Sequence, residues 1–253
     1  MNLKDKLVVY TDGTEYLEEA ETLANHLKVS FCDNRDMVSG RLMLIRDDNG
    51  LSLSDGDMVL NVDFTRMLPR LKQSNLQNEM LVKAAHLKGV NRGLRILDAT
   101  AGFGEDSLLL AGAGNYVDMY EYDPVIAALL KDGLRRASLI PELEHIVARM
   151  RLIEGDSIRA MKELDKESAM DVILLDPMFP ERQKSASVKK KFQLLQQLER
   201  PCAEEVDLLG AAIDARPRKI VIKRPVKGPN LGGIKPNYSY TGKAIRYDCF
   251  TFA

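Results

Sequence analysis

Short apolar runs alternate with amphipathic stretches from residue 94 onward, a pattern typical of strands that alternate with helices. The predicted strands cover 94–98, 116–120, 151–153, 172–175 and 219–225. Two further strands, about 238–240 and 245–252, are joined around Thr241 and Gly242 and predict a terminal hairpin. The sequence therefore predicts an α/β fold with a doubly wound, mostly parallel seven-stranded sheet whose last strand is antiparallel.

The helical spacing of apolar residues predicts the connections between these strands. The predicted helices cover 76–87, 107–113, 124–138, 188–198 and 203–215. Pro124 suits the first turn of its helix, because a proline there has no N–H that would be left unpaired.

Residues 1–64 predict a small N-terminal α/β unit. Its predicted elements are strands at 7–10, 29–32, 41–45, 51–53 and 58–64 and a helix at 14–27. The turn at 47–50 predicts a hairpin, and no stretch of the unit resembles a catalytic motif. We therefore predict one domain of residues 1–64 and a second of residues 65–253.

The composition is that of an ordinary globular protein, since 45% of the 253 residues are hydrophobic and 29% are charged. No apolar run is long enough to cross a bilayer and the N-terminus lacks a signal-peptide pattern, so we expect a cytoplasmic protein without membrane attachment. The three cysteines and three histidines are isolated along the chain, which disfavours a disulfide framework, a zinc site and a hydrolase triad. We expect no metal.

The segment from Asp171 to Pro180 combines an apolar strand with residues that carry chemistry. The apolar run 172–175 leads directly into Asp176 and Pro177. In open α/β sheets, ligands bind beyond the carboxyl ends of the strands, so this segment predicts a functional site. The alternative is a buried strand followed by a structural proline turn.

Three other strand ends carry residues suited to a nucleoside ligand. After the first strand of the sheet, Asp98 is followed by Gly102 and Gly104, a tight turn in which the backbone can lie close to a ligand. Glu121 ends the next strand, where an acid can bind ribose hydroxyls. Asp156 follows the third strand and is placed to accept a hydrogen bond from an adenine amino group.

Dinucleotide-binding folds share such a glycine turn, so a NAD-binding oxidoreductase is an alternative. The NAD fingerprint requires a third glycine where this chain has Ser107, which disfavours hydride transfer without excluding it. The ordered series of strand-end acids is more specific than the turn alone.

Positive charge is concentrated in two segments, although the formal net charge is only −1. One covers 182–191, and the other covers 216–227, where six cations occur without an acid. Both flank predicted strand ends on the side of Asp176, which favours a phosphate-bearing partner over an ordinary solvated helix face. The cations expected to contact that partner are Lys184, Lys189, Lys190, Lys191, Arg224 and Lys227.

The strand-end residues together resemble the Rossmann-like S-adenosylmethionine-dependent methyltransferases. The stretch from Asp176 to Phe179 is similar to the (Asn/Asp)-Pro-Pro-(Tyr/Phe) tetrapeptide of members that methylate exocyclic amines. The lone pair of such an amine is delocalised into the ring, and hydrogen bonds to the Asp176 carboxylate and the Pro177 carbonyl would localise it. Phe179 would stack on the base. Catalysis would then rest on positioning and electrostatics, without a covalent enzyme intermediate.

Four segments resemble one family in more detail, the bacterial small-subunit ribosomal RNA guanine-N2 methyltransferases of the RsmJ type. They are 98–104, 123–130, 176–186 with 188–190, and 221–225. The resemblance implies methyl transfer to the N2 of a guanosine in 16S ribosomal RNA, with that RNA or the 30S subunit as partner. It also implies methyl-donor contacts from Glu105, Asp106, Glu121, Tyr122, Asp156, Ser157 and Asp176. Glu105 departs from the family, in which a basic residue is common at this position.

Two other classes of function stay open. A methyltransferase of DNA or protein amines would use the same tetrapeptide, but no segment resembles a separate DNA-reading domain or a protein-acceptor module. A binding protein that has lost catalysis is expected to have a damaged tetrapeptide or glycine turn, and both are intact here.

Overall fold

The computed structural model describes residues 7–38, 40–90, 92–165, 170–177 and 205–252. The chain divides into two compact units. The first unit contains the described residues up to 63 together with 123–136, and the second contains the other described residues.

Amphipathic segments form the helices of both units. They are α1 (Leu17–Leu27), α2 (Leu68–Leu71), α3 (Gln73–Leu76), α4 (Met80–Ala85), α5 (Glu105–Gly112), α6 (Pro124–Ala137), α7 (Pro141–Val147), α8 (Ser157–Glu163) and α9 (Glu205–Asp214). Short 3-10 segments lie at Thr14–Tyr16, Arg35–Val38, Phe64–Met67 and Leu231–Gly233. Within the described part of the chain, no helix is long and apolar enough to cross a membrane.

A five-stranded sheet forms the first unit. Its strands are β1 (Leu7–Tyr10), β2 (Ser30–Cys32), β3 (Leu42–Asp47), β4 (Gly50–Ser54) and β5 (Val59–Asn61), in the order β2-β1-β3-β4-β5. Strand β1 is parallel to both neighbours, while β3, β4 and β5 pair antiparallel. The predicted hairpin is present, with Asp47 opposite Gly50.

Helix α6 belongs mostly to this first unit, although residues 64–122 of the second unit precede it in the chain. Asp123 caps the helix, because its Oδ1 accepts two backbone N–H groups of the first turn at 2.9 and 3.0 Å. Further along, Asp132 Oδ2 accepts from the N–H of Leu51 at 2.9 Å and from Arg136 Nε at 2.7 Å. The predicted boundary at residue 64 stays a prediction.

The second unit is built on a seven-stranded sheet, which confirms the predicted fold class. Its strands are β6 (Arg95–Asp98), β7 (Tyr116–Glu121), β8 (Met150–Glu154), β9 (Val172–Leu175), β10 (Lys219–Pro225), β11 (Tyr238–Thr241) and β12 (Ile245–Thr251). They lie in the order β11-β12-β10-β9-β6-β7-β8. Five are parallel, and β12 pairs antiparallel with both β10 and β11.

Strand β9 lies at the centre of this sheet, between β6 and β10. All four of its residues are fully buried, which explains why the run from Val172 to Leu175 is continuously apolar. Ile220 and Ile222 of β10 face a core formed with α8 and α9. Because side chains alternate along a strand, Lys219 and Lys223 face the other side, where Lys219 Nζ donates to a carbonyl of α4 at 2.9 Å.

The helix predicted at 76–87 is wrong in its extent. Helix α3 ends at Leu76 and α4 begins at Met80. Between them, Glu79 has an extended backbone, and its carboxylate accepts two hydrogen bonds from Arg70 at 2.7 and 2.8 Å. The spacing of apolar residues over 76–87 predicts one continuous helix face. It carries no information about an ion pair between residues nine positions apart.

Other boundaries differ less. The strand predicted at 58–64 is shorter, because β5 ends at Asn61 and a 3-10 segment begins at Phe64. The sequence pattern does not predict α7 or α8, since each is only seven residues long. The helix predicted at 188–198 lies outside the described residues.

Gly133→Ala tests the packing of α6 in the first unit. An added Cβ would lie 2.4 Å from Val62 Cγ1 and 2.6 Å from Val62 Cβ, so one segment must move. We expect a loss of roughly 1–3 kcal/mol in the free energy of unfolding, measured by urea denaturation. Gly210→Ala in α9 is the matched control, because its Cβ meets no described residue within 4 Å. The control should be neutral or stabilising by up to ~1 kcal/mol, and equal effects in both variants would contradict this packing.

Candidate active site at the strand ends

The turn between β6 and α5 adopts the backbone that its glycines predict. Gly102 and Gly104 have φ angles of +53° and +74°, in the left-handed region that other residues rarely adopt. Gly104 is the N-cap of α5, and its N–H donates to the Ala101 carbonyl at 2.8 Å. Among the described residues, a Cβ on Gly102 would meet only the Thr100 carbonyl oxygen, at 4.0 Å, so they leave this side of the turn open to a ligand.

The buried carboxyl group of Asp98 stabilises this turn through hydrogen bonds. It is 2% exposed, and its two oxygens accept from the Thr100 N–H at 3.1 Å and from the Ser107 hydroxyl at 2.6 Å. Burial raises the pKa of Asp98 from 3.8 to about 7, against the hydrogen bonds of Ser107 and Thr100, which lower it. Ser107 thus supports the turn from the position where the NAD fingerprint has a glycine. The donor contact of Asp98 stays a prediction, and its burial favours a supporting role.

Glu121, at the end of β7, binds the same turn. Its Oε2 accepts from the Gly102 N–H at 2.9 Å, and its backbone carbonyl accepts from the Gly155 N–H at 2.9 Å. A carboxylate has about four acceptor sites, so Glu121 can hold the turn and also receive ribose hydroxyls. Tyr122 beside it is 68% exposed.

Asp156 is the N-cap of α8. Its Oδ1 accepts from the N–H groups of Ile158 at 2.9 Å and Arg159 at 3.4 Å. Both bonds fall on one oxygen, so capping is compatible with the predicted adenine contact. Ser157, which begins the helix, is buried.

Asp176 connects the ends of three strands. It follows β9, and its N–H donates at 2.6 Å to the hydroxyl of Thr100, which follows β6. Its Oδ2 lies 2.8 Å from Lys223 Nζ of β10. The same ammonium lies 2.6 Å from Asp106 Oδ2 in the first turn of α5. One cation therefore joins the end of β9 to the helix that follows the glycine turn.

The charges around Lys223 fix its protonation. Burial alone would lower the pKa of Lys223, but attraction by Asp106 and Asp176 outweighs burial, and the pKa is raised. Tyr247 lies opposite Lys223 in the β10–β12 ladder, and its pKa is raised by burial and then by the charge of Asp106. At neutral pH the ammonium is therefore charged and the phenol neutral.

The structure places most of the predicted cofactor residues around the glycine turn. They are Asp98, Gly102, Gly104, Asp106, Glu121 and Asp176. Pro177, predicted to offer its carbonyl, is buried directly after Asp176. Glu105 is exposed in the first turn of α5. Phe179, Lys184, Lys189, Lys190 and Lys191 lie outside the described residues, so their roles stay predictions.

The other two predicted RNA-binding cations differ in environment. Arg224 is 1% exposed, its Nε donates to the Pro229 carbonyl at 2.9 Å, and its Nη1 lies 3.2 Å from Glu205 Oε1. Lys227 is exposed. RNA contact stays a prediction for both residues, and burial disfavours it for Arg224.

Sequence reasoning missed Thr100 and Lys223. The first is an ordinary residue within the turn, and the second is counted in the sequence only as part of a basic run. A usable signal for Lys223 was its position near the end of a buried strand, on the face opposite Ile220 and Ile222.

The donor set fits S-adenosylmethionine. Glu121 and Asp156 carry acceptor oxygens of the kind that can bind an adenosine, and among the described residues the turn at Gly102 is open to close approach. Asp106 and Asp176 share a single ammonium, which leaves an excess of negative charge suited to a sulfonium cation. A model of the SAM-dependent methyltransferase family (SAM_MT) matches residues 23–252. Fold, site and family match define an S-adenosylmethionine-dependent methyltransferase.

Individual relatives narrow this class. The ribosomal RNA small subunit methyltransferase J of Thioalkalivibrio sulfidiphilus is 38% identical over 239 residues, with 92% of each chain covered. The enzyme of that name from Pseudomonas aeruginosa (strain LESB58) is 43% identical over 201 residues, or 78% of this chain and 76% of the relative. A solved SAM-dependent methyltransferase from Neisseria gonorrhoeae is 30% identical with a TM-score of 0.76, covering 96% of this chain and 95% of that chain. The chain belongs to the ribosomal RNA small subunit methyltransferase J family.

Asp98→Asn tests the buried carboxyl group. The folded-state pKa of about 7 lies above the unfolded value of 3.8, so between these values the native state keeps a proton that the unfolded state has lost. The contribution of Asp98 to stability is complete below the unfolded pKa and should decline as pH rises toward the folded pKa, by up to ~1.4 kcal/mol per pH unit. The variant should lack this decline in urea unfolding measured across that range. Parallel curves for the two proteins would mean that Asp98 is ionised throughout.

Lys223→Met tests the shared ammonium. Without it, the Asp106 and Asp176 carboxylates repel each other and Asp176 loses the partner that orients it. The rate of single-turnover methylation, measured with saturating donor, should therefore fall. Lys223→Arg retains the charge and should retain more of the rate. If Lys223→Met methylates at the wild-type rate, the ammonium has no part in the charge balance of the site.

Proposed function

We propose that this protein transfers a methyl group from S-adenosylmethionine to the exocyclic N2 amine of a guanosine in small-subunit ribosomal RNA. The observation that carries the proposal is the position of Asp176 at the end of β9, where its N–H donates to the Thr100 hydroxyl and its carboxylate pairs with Lys223. The named activity of the 38–43% identical relatives supports ribosomal RNA as the substrate.

S-adenosylmethionine would supply the methyl group as an electrophilic carbon on its sulfonium, with the C–S bond breaking as the N–C bond forms, S-adenosylhomocysteine leaving and the amine losing one proton to water. The task of the protein is to hold the amine lone pair in line with that carbon, which is a matter of orientation and electrostatics. Asp176 accepts a hydrogen bond from the guanine amine and draws the lone pair out of the ring. Lys223 fixes the orientation of this carboxylate, so that little reorganisation accompanies the reaction.

Donor binding depends on the residues around the glycine turn. Glu121 receives the ribose hydroxyls while its Oε2 holds the Gly102 N–H, and Asp156 receives the adenine amino group. Asp98 keeps the turn in shape through Thr100 and Ser107 without reaching the surface.

The acceptor base must leave any stack before its amine can reach Asp176. Phe179, three residues beyond, is suited by residue type to stack on the extruded guanine. Lys227 is exposed beyond the end of β10 and is suited to a phosphate contact. We propose that the partner is the RNA of the small subunit or the 30S particle and that the protein acts in the cytoplasm.

The decisive experiment is transfer of tritiated methyl groups from S-adenosylmethionine to small-subunit RNA or particles from cells that lack this protein. Nucleoside analysis should identify N2-methylguanosine. Asp176→Asn should lower turnover by roughly 10²–10³-fold, the usual effect of losing one electrostatic contact to the reacting group. Its melting temperature should stay near that of the wild type, because the Asp176 N–H to Thr100 remains.

Asp171→Asn is the matched control, because Asp171 precedes the same strand at its opposite end and binds Arg218 and the Arg95 N–H. It should keep wild-type turnover. Near wild-type turnover of Asp176→Asn would remove the proposed role of the carboxylate, and a modified nucleoside other than N2-methylguanosine would replace the proposed acceptor.

A further inference from the structure

Strand β11 forms one edge of the seven-stranded sheet and presents two tyrosines. Tyr238 and Tyr240 are 40% and 37% exposed, and their rings meet edge to face with centroids 5.9 Å apart. Exposed aromatic rings on a sheet are a surface on which unpaired RNA bases stack. The function proposed above leaves this pair unused.

A row of residues leads across the sheet from this edge to the active site. Tyr240 lies opposite Tyr247, Tyr247 lies opposite Lys223, and the ammonium of Lys223 binds Asp176. Residues directly opposite each other share one face of a sheet. Three strand spacings separate β11 from β9, roughly 14 Å in all. The exposed tyrosines therefore lie on the same face as Lys223 and within a few nucleotides of the reacting base.

The chain around the tyrosines is strongly basic. From Arg216 to Arg246 there are nine cations and no acid, although Lys219, Arg224 and Arg246 are buried and Lys223 is paired with Asp106 and Asp176. Lys235 precedes β11 and Lys243 follows it, and both are exposed. Burial, with smaller effects of Cys249 and Tyr240, raises the pKa of Tyr238 to about 12, so its phenol adds no negative charge at neutral pH. A surface of neutral rings between cations suits a polyanion with unpaired bases.

We propose that Tyr238 and Tyr240, flanked by Lys235 and Lys243, bind unpaired nucleotides of the RNA next to the guanosine that enters the Asp176 site. This inference rests on the proposed function. The tyrosine rings stack on bases and the lysines contact phosphates. Because none of these four residues reaches the reacting atoms, the surface governs capture of the RNA and leaves the methyl transfer step to Asp176.

The test compares Tyr238→Leu/Tyr240→Leu with Tyr238→Phe/Tyr240→Phe, which keeps the rings. Binding of an unpaired RNA oligonucleotide is measured by fluorescence anisotropy, and KM and kcat are measured with small-subunit RNA. The leucine variant should bind roughly tenfold or more weakly and show a matching rise in KM, with unchanged kcat at saturating RNA. The phenylalanine variant should behave as wild type. Tyr116→Leu is the control, because Tyr116 is 58% exposed at the start of β7 in the same sheet.

Two further variants keep the test decisive. Lys235→Ala/Lys243→Ala should reduce the slope of log affinity against log salt by about two, one for each phosphate contact. Tyr240→Leu alone retains the Tyr238 ring, which lies 5.9 Å from Lys219 Nζ, and should fold if the double variant does not. It should still lose part of the affinity.

Unchanged affinity and KM in the leucine variants would overturn the proposal. A change of the leucine variant from dimer to monomer in sedimentation would also overturn it, since β11 would then be an interface between copies of the chain. The leucine substitutions are also made in an Asp176→Asn protein, and RNA binding is measured there. If they weaken RNA binding in that protein, but the wild type forms no N2-methylguanosine, the proposed reaction is rejected and the tyrosines remain an RNA-binding surface.

Discussion

The architecture of the site depends on the two ion pairs made by the ammonium of Lys223. It lies 2.6 Å from Asp106 and 2.8 Å from Asp176, two carboxylates that come from different parts of the chain. Both acids would repel each other without a shared cation in this partly buried setting. The sheet order makes the contact possible, because β10 lies beside β9 and brings Lys223 to the end of that strand.

Three carboxyl groups lie close together around the glycine turn, and their environments differ. Asp98 is buried below the same turn and ionises only near neutral pH, while Asp106 and Asp176 carry the negative charge that Lys223 balances in part. The site therefore keeps a buried carboxyl group and two ion-paired carboxylates in distinct environments. In the proposed reaction, which needs no covalent intermediate, such preorganised charge would be the main source of catalysis.

The central strands of the second sheet could be predicted from sequence because they are largely buried on both faces. The bounds of β9 agree residue for residue with its apolar run, and those of β10 agree with the predicted strand 219–225. Local patterns also located the glycine turn and the acids at the strand ends. They did not reveal the pairing of Lys223 with Asp106 and Asp176, because that depends on which strands are neighbours. The break between α3 and α4 was missed for a similar reason, as the Arg70–Glu79 ion pair joins residues outside one helical repeat.

Helix α6 belongs mostly to the first unit although it lies later in the chain, and this order affects folding during translation. Strands β1 to β5 leave the ribosome early, but Asp132 and Arg136, which bind Leu51 and one another, are synthesised only after β6 and β7. Translation adds ~5–20 residues per second, so the first unit lacks α6 for several seconds. During this interval β4 lacks the hydrogen bond from the Leu51 N–H to Asp132, and a nascent chain stalled before residue 124 would be a natural substrate for chaperones.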